Sequence, residues 1–287
     1  MKNFSLSFRF IEEEIKSEEG QTIRMEQIQY KKNEYELTLN QLKYIAIAAM
    51  VIDHLAVSFL PYESPIAIVM HTVGKITGPI MFFAAVEGVH HTGDLKRYIA
   101  RLGIFALVSW IPFLYFSQGG ELPLSTDVFR PNVIYTILLG VLAVCIRRQV
   151  KNPIGKLLGI LSLIVLCVPA DWGTTGILMI FVFDYFYGDF HNQVFGYILV
   201  VLLGTEVSNM IFSPFFTLFY EHQFYIDAEY YLLSFSDFGM FLPLFFLMFY
   251  RGNKGATGKN QVFSKWFFYL FYPAHLAVLG FLQSLIR

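Results

Sequence analysis

Lys43 and His54 stand eleven residues apart in the run "KYIAIAAMVIDHLAVSFL", residues 43–60, and Asp53 directly precedes the histidine. On a helix of 3.6 residues per turn this separation returns to the same face within about 20°, roughly 16 Å further along the axis. A cation is thereby aligned with an imidazole, whose ordinary titration range suits general-base work near neutral pH. A histidine satisfied by interhelical hydrogen bonds accounts for the residue equally well. Asp53 points about 100° away around the same helix, toward a cation or amide of a neighbouring helix. Further along, "FFAAVEGVHHT" puts Glu87 and His91 four residues apart on one face, and Arg101 follows in "DLKRYIARL". Such a patch can receive an anionic cofactor, or can simply be a solvated ion-pair cluster.

The elements that must position these groups are membrane helices. The chain has 287 residues, 55% of them hydrophobic and 18% aromatic, with 15% charged and a mean hydropathy of +0.52. Soluble domains carry about 25% charged residues. Apolar stretches near 39–60, 66–91, 95–116, 131–147, 153–170, 172–187, 192–220, 229–250 and 262–286 approach the roughly 20 residues that a crossing needs. The expectation is an all-α, polytopic bundle of about nine spans, eight to ten. The fifth and sixth are short and flank "PADWG", as a tight hairpin or a partly embedded pair would; the seventh is long enough to tilt or to break near Gly204. Pro79, just after "GKITG", should kink the second.

Positive residues set the orientation. With the N-terminus cytoplasmic, inner connections carry Lys96 and Arg97, then Arg147, Arg148 and Lys151, then Arg251, Lys254 and Lys259. Outer connections carry Arg130 with Glu63, Glu121, Asp127, Asp171, Glu221, Asp227 and Glu229. An odd count then leaves the C-terminus outside. Residues 1–36, with "IEEEIKSEEG" and "YKKNEYE", read as a polar cytoplasmic leader, loose or amphipathic, with Met25 as an alternative start; residues 37–287 form the membrane domain.

Several function classes lose support. A net charge of −1 gives no pull toward nucleic acid. No phosphate-binding glycine loop, Cys-x-x-Cys or His-Glu-x-x-His is present, and no metal is expected. Cys145 and Cys167 lie in apolar runs and read as reduced, buried residues. No internal repeat is evident, which weighs against a secondary transporter. What stands out is the set of ionisable groups within the spans: Asp53, His54, His71, Lys75, Glu87, His90, His91, Arg101, Asp184, Glu206, Asp237 and His275. Groups of this kind face the bundle interior or a water-filled cavity and are functional candidates by default. Those near helix ends, such as His90, His91 and Asp184, are equally explained by snorkelling.

The blocks "LKYIAIAAMVIDH", "GPIMFFAAVEGVHHTGDLKRYIARL", "NVIYTILLGVL", "ADWGTTGILMI" and "KWFFYLFYPAHLAVL" occur in an order that resembles the TraX family of integral membrane proteins, from about residue 37 to the end. Lys75 departs from the pattern, where an arginine is expected; the charge is kept but a bidentate anion contact is lost. The resemblance implies a multi-pass membrane protein tied to N-terminal acetylation of conjugative pilin or to fimbrial assembly. The Lys43–His54 spacing is also similar to the basic-x10-His signature of acyltransferase type 3 membrane enzymes, which move acetyl from acetyl-CoA to acceptors at the outer face.

Together the resemblances imply an acetyltransferase of the bacterial cytoplasmic membrane. Lys43 and Arg101 would hold acetyl-CoA phosphates, in the patch that includes Glu87 and His91. His54 would act as general base or acetyl carrier, with Asp53 and His275 as supporting or acceptor-side residues. Asn132 and Asp171 would contact the acceptor, a pilin-like amine or an envelope glycan. A proton-coupled transporter or a non-enzymatic assembly factor is the competing class, since intramembrane Asp, Glu and His also relay protons.

Overall fold

A computed structural model of the chain describes residues 36–121, 129–220, 222, 228–253, 255 and 258–286. The expected leader, including Met25, lies outside the described residues except for Glu36, as do Asp127, Glu221, Asp227 and Lys254. Among the described residues the protein is all-helical, and its one β-type pairing is an isolated bridge between Leu37 and Tyr250.

Helix α1 (Leu39–Phe59) starts at a reciprocal cap: Gln41 N–H donates to the Thr38 hydroxyl, and Thr38 N–H donates to Gln41 Oε1. Ser64 caps α2 (Pro65–Gly74), whose first residue is a proline that has no N–H to leave unpaired. Then come α3 (Thr77–His91), α4 (Leu95–Val108), α5 (Trp110–Ser117), α6 (Val133–Gln149), α7 (Pro153–Cys167) and α8 (Gly173–Tyr185). The chain continues through α9 (Phe190–Gly204), α10 (Glu206–Tyr220), α11 (Ala228–Ser234), a 3-10 turn (Phe235–Phe241), α12 (Leu242–Leu247) and α13 (Gly258–Ile286). Helices α3, α6 and α8 form the centre, where Ile80, Phe82, Val141, Met179, Ile180 and Phe183 are almost wholly buried. The outward residues of the peripheral helices are large and apolar, as a lipid-facing surface requires.

All nine expected spans coincide with helix, but nine crossings is an overcount. By length and composition five stretches among the described residues can cross a membrane: Leu39–Phe59, Pro65–His91, Leu95–Ser117, Glu229–Leu247 and Val262–Ile286. A sixth is possible if α9 and α10, bent by 55° at Thr205, act as one span. Helices α6, α7 and α8 have 17, 15 and 13 residues. At 1.5 Å per residue they reach about 20–26 Å, short of the ~30 Å hydrocarbon layer. The apolar run through 153–187 hides a full turn: Trp172 adopts φ 63° and Gly173 φ 39°, so α7 and α8 fold into the expected hairpin. Without an odd count of nine, the placement of the C-terminus outside no longer follows.

The second span is broken at Lys75 and Ile76, a little ahead of Pro79. Pro79 has no N–H for the Lys75 carbonyl, so the break falls one turn before it. Gly74, at the end of α2, lets α1 come close: a Cβ there would lie 2.4 Å from the Asp53 Cβ. Gly78 does the same for the Trp172 ring. Both contacts bear directly on the site.

Candidate active site

Along α1, Asn40, Lys43, Ile47, Met50, His54 and Val57 recur at spacings of three and four, and they line two cavities in succession. The first cavity, about 500 Å³, contains Lys43, Glu87, His91 and Arg101, the four residues expected to meet an acetyl donor, together with Lys265. The second, about 570 Å³, contains Asp53, His54 and Asp171. Met50, Thr77, Val133 and Tyr272 line both, forming a shared septum. Both volumes fall within the roughly 300–1,000 Å³ usual for small-molecule sites.

The first cavity has apolar walls, including Met81 and Phe268, and a polar end. Lys43 Nζ lies 5.3 Å from the Phe268 ring centroid. Arg101 lies 5.9 Å above the Tyr98 ring, and its buried Nε has no hydrogen-bond partner. Neither cation makes an ion pair among the described residues. Glu87, although on the same wall, is engaged: the Tyr250 hydroxyl donates to its Oε2 at 2.7 Å, and His91 Nδ1 lies 3.2 Å from the same oxygen. Two cations with spare donors at the mouth of an apolar chamber suit a ligand with an anionic head and an uncharged arm.

In the second cavity the two neighbours on α1 have separate partners. His54 Nδ1 is 2.8 Å from His275 Nε2, and the rings stack with centroids 5.1 Å apart. His275 Nδ1 is 3.0 Å from the Phe271 carbonyl, which can only accept. The neutral pair therefore has one consistent proton arrangement: His275 donates from Nδ1, its Nε2 accepts from His54 Nδ1–H, and His54 Nε2 keeps its lone pair. Asp53 accepts from His71 Nδ1 at 2.7 Å, a partner on the neighbouring helix α2. Lys75 Nζ is 2.5 Å from Asp237 Oδ1 on the 3-10 turn. Arg130, Glu206 and Asp237 complete the charged lining.

The two residues expected on the acceptor side part company. Asp171 lines the second cavity, its backbone fixed by Pro131 O and by the Thr136 hydroxyl. Asn132 lines neither cavity. It is 1% exposed and works as the N-cap of α6: its Oδ1 accepts from Ile134 and Tyr135 N–H, and its Nδ2 donates to Ala106 O. Its polar atoms are already engaged, so an acceptor contact has no support here.

Sequence reasoning passed over His71 as a site residue, along with Lys265 and the septum. His71 stood among the ionisable groups of the spans, and the signal was the short "PYESP" link that folds α2 back on α1. Among the described residues no group of three or more His, Cys, Asp or Glu is placed to hold a metal ion.

Residues 38–283 match the family described as TraX protein. The chain is 31% identical over 245 residues to "Probable fimbrial assembly protein FimC, serogroup H1" of Dichelobacter nodosus, a match covering 83% of this chain and 93% of that protein. No solved structure matches. The blocks that carry His54, Glu87, Arg101, Asp171 and His275 all fall within the matched span, and this membrane protein belongs to the TraX family.

Proposed function

We propose that the protein is an acetyltransferase of the bacterial cytoplasmic membrane that takes acetyl from acetyl-CoA on the cytoplasmic side and delivers it to an envelope acceptor. The observation that carries this reading is the pair of cavities meeting at one septum, cations at one end and histidine lone pairs at the other. Lys43 and Arg101 would bind the phosphates, and the apolar walls would guide the pantetheine arm toward Met50 and Tyr272. His54 Nε2 would then either remove the acceptor's proton or carry the acetyl group. The first cavity and the start of α1 would face the cytoplasm, a reading supported by the cavity's cations and by Lys96 and Arg97 at the adjoining start of α4. A fimbrial or pilin-like amine is the acceptor that the fimbrial assembly relative favours.

The carboxylates of the second cavity also fit a proton-coupled transporter. Titrating the purified protein with acetyl-CoA by calorimetry separates the two. An acetyltransferase shows saturable binding that free CoA competes away, whereas absence of binding together with transport driven by a pH gradient replaces it with the transporter.

A further inference from the structure

His71 stands outside the roles described so far. It is 6% exposed, lies on α2 and lines the second cavity with His54. Its Nδ1 is bound to the Asp53 carboxylate, an acceptor only, so the ring proton sits on Nδ1 and the lone pair on Nε2. That Nε2 is buried and has no hydrogen-bond partner. An unmet buried acceptor is unfavourable, a cost removed when something entering the cavity donates to it. The bare Cα of Gly74 is what allows Asp53 to approach α2 so closely. A carboxylate that fixes one imidazole nitrogen and leaves the other as a free base also offsets the charge that forms when the base takes a proton.

We infer that His71, oriented by Asp53, is the general base that takes the proton of the acceptor's amine or hydroxyl, leaving His54 to carry the acetyl group. This rests on the acetyltransferase reading. In the first step His54 Nε2 attacks the thioester carbonyl carbon. A C–N bond forms, the C–S bond breaks with its electron pair leaving on the thiolate, and acetyl-His54 keeps its Nδ1–H, still donated to His275 Nε2. In the second step the acceptor's nitrogen or oxygen attacks the acetyl carbon while its proton passes to His71 Nε2. The bond to His54 breaks and returns the electron pair to its Nε2. Release of the proton from His71 to water, and uptake of one by the thiolate, close the cycle. His71 is thus catalytic and Asp53 a positioning residue.

The test uses the full-length protein in its native membranes with radiolabelled acetyl-CoA. His71→Ala is expected to lower transfer by about 100-fold or more without changing acetyl-CoA affinity at the other cavity. Added imidazole should restore transfer, and across substituted imidazoles the restored rate should rise with the basicity of the added base. Asp53→Asn keeps the imidazole and the packing, but its amide N–H₂ can donate to Nδ1 and drive the ring proton onto Nε2. Turnover is expected to fall by roughly 100-fold or more, with the KM for acetyl-CoA unchanged. This variant carries the test if His71→Ala fails to fold. Wild-type transfer in either variant overturns the inference, as does a loss in His71→Ala that no imidazole restores. A wild-type protein that neither binds acetyl-CoA nor transfers acetyl overturns the acetyltransferase reading itself, and the inference with it.

Discussion

Replacing His54 by alanine is expected to lower acetyl transfer by roughly 100- to 10,000-fold, the range set by losing a positioned base or nucleophile. The effect should fall on turnover, because His54 belongs to the second cavity and the cations expected to hold acetyl-CoA belong to the first. His275→Phe is expected to cost less, about tenfold. It preserves the stacked ring but removes the acceptor of the His54 Nδ1–H, so the imidazole is free to rotate and to exchange tautomers. The check is transfer of labelled acetyl in membranes holding equal amounts of each protein. Transfer by His54→Ala at the wild-type rate contradicts any role for its lone pair.

Lys43→Met should act differently. Methionine keeps an apolar stem beside Phe268 while removing the charge. A hydrogen bond to a charged group is worth about 1.5–3 kcal/mol, and each 1.4 kcal/mol is about tenfold in affinity. The KM for acetyl-CoA should therefore rise by about 10- to 100-fold, with turnover less affected. Arg101→Met should behave alike, and Arg101→Lys should recover only part of the loss because the planar fork is gone. Steady-state kinetics over a range of acetyl-CoA concentrations separates the effects. A loss of turnover at unchanged KM contradicts the assignment of these cations to the donor.

Much of the arrangement is legible in the sequence because it is periodic. The stripe from Asn40 to Val57 lies on one face of a single helix, and its helical repeat alone places Lys43 and His54 on a common track. Glu87, His91 and Arg101 gather because one short link joins α3 to α4, and local spacing captures that. The Asp53–His71 pair is different. Its direction around α1 was readable, but its partner depends on how closely α2 packs, which Gly74 decides. Asn132 is the opposite case: a polar residue at a helix end, expected to meet an acceptor, has its side chain engaged in capping and in a bond to Ala106 O. The span count failed for a related reason. Hydropathy counts apolar residues without seeing that α6, α7 and α8 are too short to reach across the hydrocarbon layer, or that α6 is wrapped by other helices.

The central claim is directional: acetyl enters at the Lys43 end of the bundle and leaves from the His54 end. Sealed inside-out and right-side-out membrane vesicles, each given radiolabelled acetyl-CoA on the outside only, test it directly. Label should enter envelope material in the inside-out vesicles, where the Lys43 cavity faces the added donor, and stay at background in the right-side-out ones. Equal labelling from both sides, or labelling from the right-side-out vesicles alone, would contradict the account.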